Sequence, residues 1–145
     1  MERKKARITI KSIQHDIENT ATEQTYYGHY AHSGGRHLLS YEETFESDSE
    51  NAVVRNLYKI SDRTLSLSKS GAITTRMLFD TEKKYQNVYR TPLGSFDLLL
   101  RTKAVEITST GKILTVFLNY DLFMNHNFIS NCTIEINCKI IEQGR

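Results

Sequence analysis

Apolar side chains recur at every second position over much of this chain. Phe96, Leu98, Leu100 and Thr102 alternate with Asp97, Leu99 and Arg101; Leu114, Val116, Leu118, Tyr120 and Leu122 form a second such series, and Cys132, Ile134, Ile136, Cys138 and Ile140 a third. A period of two puts one set of side chains on a buried face and the other in water, which is the signature of a strand. Shorter series with the same period are Leu39, Tyr41, Glu43 and Phe45, then Leu65 and Leu67, then Ile73, Thr75, Met77 and Phe79. Turn chemistry separates them. Ser33-Gly34-Gly35, Ser70-Gly71 and Ser109-Thr110-Gly111 favour reversals, and Pro92, which fixes its own φ, with Gly94 two residues on predicts a tight turn of type I. No stretch sustains a 3.6-residue period, so no sizeable helix is expected. One strand and turn every ten or so residues is the cadence of an all-β meander, sandwich or barrel. Many consecutive hairpins leave open edges unless the sheet closes. The pattern therefore predicts one all-β domain over residues 1–145, an up-and-down barrel of about 8–10 antiparallel strands, in preference to a sandwich.

Some segments depart from simple alternation. Ile8 and Ile10 are followed by Ile13 and Ile17, a slip of one residue that a β-bulge near Lys11-Ser12 would absorb. Residues 19–23 are polar and read as a turn, Gly28 marks a bend or close backbone approach within a strand, and residues 46–50 form an acidic loop. The strands over 112–123 and 128–141 are expected to be the longest.

Composition narrows the classes. A chain of 145 residues fits one core, and 39% apolar with 25% charged residues is a globular composition. The net charge of +2 gives no strong basic field, although Arg3, Lys4, Lys5, Arg7 and Lys11 form a local cationic run, expected to be a solvated terminus. No apolar stretch approaches the roughly 20 residues that cross a bilayer as a helix and no cleavable apolar region follows Met1, so the expectation is a cytoplasmic protein without a membrane partner. Cys132 and Cys138 lie six strand residues apart, roughly 20 Å, well beyond disulfide reach, and are read as reduced core thiols.

Four stretches carry a resemblance. Leu38-Leu39-Ser40-Tyr41-Glu42-Glu43, Leu65-Ser66-Leu67-Ser68-Lys69-Ser70-Gly71, Met77-Leu78-Phe79 and Tyr89-Arg90-Thr91-Pro92-Leu93-Gly94-Ser95-Phe96, continuing to Thr102, resemble the YwiB-like proteins of Firmicutes. These are small bacterial proteins of unknown function. The resemblance spans nearly the whole chain and implies a lipocalin-like, calycin-type β-barrel, with no catalytic signature to carry over. The family pattern often has arginine where this chain has Lys69, which removes any bidentate pairing at that position.

The candidate chemistry lies in polar groups on inward faces. Glu43 falls between Tyr41 and Phe45, Lys69 continues the face of Leu65 and Leu67, and Thr102 that of Leu98 and Leu100. Buried charges must be paired, so strand parity suggests a Glu43–Lys69 pair inside the barrel or at one mouth. The opposing reading is that Lys69, beside Gly71 at a strand end, reaches solvent. The first functional reading is a non-enzymatic barrel binding a small apolar or amphipathic ligand, lined by Tyr41, Glu43, Met77, Thr102 and Tyr120 with Lys69 as counter-charge. A second is an interaction module, with a homodimer as one form of it, using the final strands or the acidic loop. A third is RNA contact through the basic start; tyrosines on a sheet can stack on bases, but no basic stripe is interleaved with them in sequence, so nucleic acid is not the favoured partner. His15, His29, His32, His37 and His126 lack ligand spacing, and His15 shares the parity of Ile13, as a hydrogen-bonded core residue would. No cofactor or metal is implied, and nucleophile, phosphate-loop and paired-carboxylate motifs are absent.

Overall fold

The computed structural model describes residues 2–16, 20–46 and 51–141. Its described residues contain no helix and ten strands: β1 (Lys4–Gln14), β2 (Thr20–Ser33), β3 (Arg36–Glu46), β4 (Asn51–Ser61), β5 (Thr64–Gly71), β6 (Thr75–Asp80), β7 (Tyr85–Thr91), β8 (Gly94–Thr110), β9 (Ile113–Met124) and β10 (Asn127–Ile140). Every ladder is antiparallel, and the order β6-β5-β4-β3-β2-β1-β10-β9-β8-β7 is an up-and-down meander in which β1 meets β10. The ring lacks one full seam. β6 and β7 are joined by a single bridge, in which Thr74 and Arg90 exchange N–H···O bonds of 3.3 Å each, reinforced by Asn87 Nδ2 donating to the Arg76 carbonyl at 3.1 Å. The sheet is a nearly closed barrel.

The alternating apolar residues fill its interior. Ile8, Leu39, Ile60, Leu65, Phe79, Leu100, Leu118 and Ile136 are each almost fully buried, and Val105, Ile107, Tyr120 and Ile134 pack against them. The Pro92-Leu93 reversal forms as expected, with Thr91 paired to Gly94. The thiols of Cys132 and Cys138 are free and buried.

Several expectations need correction. No bulge occurs at Lys11-Ser12, because β1 is paired on both sides without interruption, Ala6 to Gln14 against β10 and Lys4 to Gln14 against β2, and an extra residue would misalign both ladders. Ser12 keeps the inward parity and Ile13 turns out. The bulges lie instead between Thr102 and Ala104 and between Phe128 and Ser130. The first returns Val105 and Ile107 to the inside and lets β8 run for 17 residues, so β8, not β9 or β10, is the longest strand. Residues 20–23, read as a turn, extend β2 and pair with residues 11–14 of β1. The cationic run is solvated as expected, since the side chains of Arg3, Lys5, Arg7 and Lys11 are exposed, but it is not a loose terminus: from Lys4 onward it lies within β1 between two neighbours. His15 is exposed rather than in the core, though its Nε2 meets Thr133 Oγ1 at 2.7 Å. Both edges of β9 and β10 are occupied, which leaves a partner only their faces. Ile17 and positions 47–50 of the acidic loop lie outside the described residues.

Two features hold the sheet in shape. At Gly28 a Cβ would sit 2.0 Å from the Ser40 carbonyl oxygen and 2.9 Å from Tyr41 Cβ, so only glycine lets β2 and β3 approach there. Their ladder stops next to it: His29 pairs with Ser40, and residues 20–27 of β2 form no ladder with residues 41–46 of β3. On the outer face Asp121, 3% exposed, accepts from Arg101 Nη2 at 2.7 Å and Asn131 Nδ2 at 2.9 Å, with Lys103 Nζ at 3.4 Å, tying β8, β9 and β10 together. Burial acts to raise the Asp121 pKa, but the hydrogen bonds from Asn131 and Arg101 and the charge of Lys103 outweigh it and hold the carboxyl below its usual range.

Two tests follow from this geometry. Gly28→Ala is expected to cost about 1–3 kcal/mol, the usual toll of overpacking, and to lower Tm by several degrees in a thermal melt, whereas Thr25→Ala on the outer face stays within about 0.5 kcal/mol. Because the Asp121 pKa is depressed on folding, its contribution is complete above about pH 4 and disappears as the pH falls through the folded-state value. Denaturant titrations should show Asp121→Asn less stable by about 1–3 kcal/mol at neutral pH, with a shallower acid-side decline than the parent chain.

Candidate functional site

The inward faces of β3, β4 and β5 carry one polar residue each where the flanking positions are apolar. Tyr41 is paired across the ladder with Asn56, and Asn56 with Lys69, which brings these three side chains into one transverse row, with Glu43 one step along β3. Asn56 sits between the two charges. Its Nδ2 donates to Glu43 Oε1 at 2.9 Å, and its Oδ1 accepts from Lys69 Nζ at 2.8 Å. Lys69 Nζ also lies 3.4 Å from Glu43 Oε1, and the single Tyr26 O–H is shared between Glu43 Oε2, at 3.0 Å, and the neighbouring Gln24 Oε1. The charged side chains are 17% and 18% exposed, enough removed from water to make each depend on the other.

Aromatic rings form one wall. Tyr26 stacks on Tyr41 with centroids 4.2 Å apart, Tyr41 lies 5.9 Å from Tyr58, and the Tyr41 and Tyr58 hydroxyls share a hydrogen bond of 3.0 Å. Together with Leu67, Met77, Ile10 and Ile134 these groups surround a pocket of about 230 Å³. It lies where the ladder between β2 and β3 has ended, so the separation of those strands leaves the space that the side chains line. A pocket with apolar walls and a few convergent polar groups is the usual form of a small-molecule site.

A family model described as a domain of unknown function (DUF1934) matches residues 8–136. The chain belongs to the DUF1934 family. Among solved structures, this DUF1934 chain is similar to the crystal structure of the ywiB protein from Bacillus subtilis, with a TM-score of 0.80 and 20% identity over 96% of this chain and 93% of that one. At that identity the likeness speaks for the fold. No curated protein matches the chain.

Of the residues predicted for the DUF1934 pocket, Tyr41, Glu43, Lys69 and Met77 line it together. Thr102 and Tyr120 do not; they face each other across β8 and β9 in the filled part of the interior, with the Tyr120 ring 4.8 Å from Phe79 and Thr102 Oγ1 buried without a hydrogen-bond partner. Asn56, Tyr26 and Tyr58 were missed. Asn56 had a legible signal, its place between Val54 and Tyr58 on an inward series; Tyr26 did not, because its contact with Glu43 crosses strands that are unpaired at that point.

Ionisation is suppressed throughout this wall. Burial, with the nearby Glu43 charge, pushes the Tyr26 phenol up to about 12, and burial raises Tyr41 and Tyr58 above the ordinary tyrosine value. Burial likewise pushes the Cys138 thiol up to about 11 and raises Cys132, so neither offers a thiolate at neutral pH. Among the described residues no three His, Cys, Asp or Glu side chains gather as a metal-ligand set. The site can hold a molecule by hydrogen bonds and apolar contact.

The hydroxyl pair and the raised phenols give a joint expectation. Tyr41→Phe leaves the Tyr58 hydroxyl buried without its partner and is expected to cost about 1–3 kcal/mol, while Tyr41→Phe with Tyr58→Phe, which removes both, lies close to the parent. Since the folded pKa values are raised, their stabilisation is complete below about pH 10 and is lost as the pH rises through the folded values. Denaturation curves between neutrality and pH 12 should fall less steeply for the double variant.

Proposed function

We propose that this DUF1934 chain is a binding protein, not an enzyme, which holds a small amphipathic molecule in the pocket between β2 and β5. The reading rests on one observation: a carboxylate and an ammonium, bridged by the buried Asn56 carboxamide, stand on inward strand positions at an open space walled by Tyr41, Leu67, Met77 and Ile134. Well-packed apolar side chains in their place would be as stable or more so, so fold stability alone does not call for the cluster. The size of the pocket, below the roughly 300 Å³ at which drug-sized sites begin, suits a short apolar body. Glu43 and Lys69 neutralise each other, which favours an uncharged polar head such as a hydroxyl or amide over a second ion. Lys69 spends two of its three N–H groups on Asn56 and Glu43, leaving one for such a head. Two free, buried thiols accord with a reducing, cytoplasmic setting.

Titration of the purified protein with 1-hexanol and 1-octanol, followed by methyl NMR, checks this directly. The methyls of Met77, Leu67 and Ile134 are expected to shift in a saturable manner, Lys69→Met to weaken the effect several-fold, and Met77→Trp to abolish it by filling the space. Uniform, non-saturating shifts over the whole surface would refute the pocket as a binding site.

A further inference from the structure

The basic residues near the start acquire neighbours in the fold that their sequence does not display. Lys5, Arg7, Thr9 and Lys11 point outward from β1. Arg7 is paired with Tyr27 of β2 on one side and with Lys139 of β10 on the other, so two cations and an aromatic ring stand in one transverse row. Lys5 faces His29 in the next row, and Arg3 Nη2 lies 3.2 Å from His29 Nδ1. Tyr27 is 72% exposed and forms part of the lip of an outer groove of about 510 Å³ that also includes Arg3 and Arg55, the latter 3.4 Å from Glu42. Like charges placed directly opposite across a ladder weaken a sheet, so the Arg7–Lys139 pairing is a cost that an anion would relieve. Neither is in a salt bridge among the described residues. The patch has a limit: two rows on, Lys11 stands between Glu23 and Glu135.

We propose that this outer face of β2, β1 and β10 binds single-stranded nucleic acid, with Arg3, Lys5, Arg7 and Lys139 meeting phosphates and Tyr27 stacking on a base. An exposed ring beside a basic row is the arrangement that sheet surfaces use for strands without sequence preference, since every base offers a π-face and every nucleotide a phosphate. A duplex hides its base faces and gains nothing from Tyr27. The site lies on the opposite side of the sheet from the interior pocket and does not rest on that pocket having a ligand.

Fluorescence anisotropy with a labelled oligouridylate and the matching oligothymidylate tests this, the two arms separating RNA from DNA as the source of the shared chemistry. Expected is binding whose log K falls with log salt at a slope of about −2 to −3, as three or four phosphate contacts on a single strand give. Tyr27→Ala should weaken it at least about fivefold, the lower end of a stacking loss, without changing the slope, and Arg7→Gln with Lys139→Gln should make the slope shallower by more than about 1. These substitutions are on the outer face, and unchanged circular dichroism confirms the fold. Absence of binding at low salt, equal affinity for duplex with no effect of Tyr27→Ala, or binding to anionic phospholipid vesicles in place of the oligonucleotides would each overturn the proposal.

Discussion

A carboxylate on the inner face of a β-barrel has to be met by its neighbours, because the apolar side chains around it give no solvation in return for the water it has lost. Glu43 is met by three donors from three other strands: Tyr26 of β2, Asn56 of β4 and Lys69 of β5. Asn56 and Lys69 are placed by the β3–β4 and β4–β5 registers, and Tyr26 reaches Glu43 across the interval where β2 and β3 are no longer paired, so the cluster forms only when all four strands are in place. Asn56 is the hinge of the arrangement, giving one hydrogen bond to the carboxylate and taking one from the ammonium. Asp121 shows the same chemistry turned outward, where Arg101, Lys103 and Asn131 tie it to the strands on either side.

The inner cluster and the pocket share a cause. Gly28 brings β2 against Ser40 closely enough for the last paired residues to meet, after which the two strands run on without a ladder and the rings of Tyr26 and Tyr41 stack across the interval. Tyr41 borders the inner pocket and the outer groove alike, with Tyr27 and Arg3 on the outside. One local divergence of strands therefore shapes both candidate surfaces, while the seam between β6 and β7 is held by the Thr74–Arg90 bridge and Asn87.

Much of the fold was legible in the sequence because alternation and turn chemistry are local. The inward parity of Glu43 and Lys69 follows from counting by twos, and their geometry in the fold agrees with it. What could not be read is what depends on pairing between distant strands. The slip after Ile10 looked like a bulge because the β10 partner of β1, more than a hundred residues away, was not in view, and the true bulge in β8 hid behind a run in which Ala104 and Val105 are both apolar. Thr102 was correctly placed inside but assigned to a lumen that, at that level, Phe79 and Tyr120 fill. The row of Tyr27, Arg7 and Lys139 draws on three strands and has no trace in any single stretch.

The inner polar cluster depends on Glu43 and Lys69 being coupled inside the barrel. A double-mutant cycle of Glu43→Gln and Lys69→Met, with stability measured by denaturant titration, reads that coupling. An inward pair bridged by Asn56 predicts a coupling energy above about 1 kcal/mol, with each single variant costing more than the double variant would suggest. A coupling within about 0.3 kcal/mol of zero, the behaviour of a solvated ion pair, would contradict it.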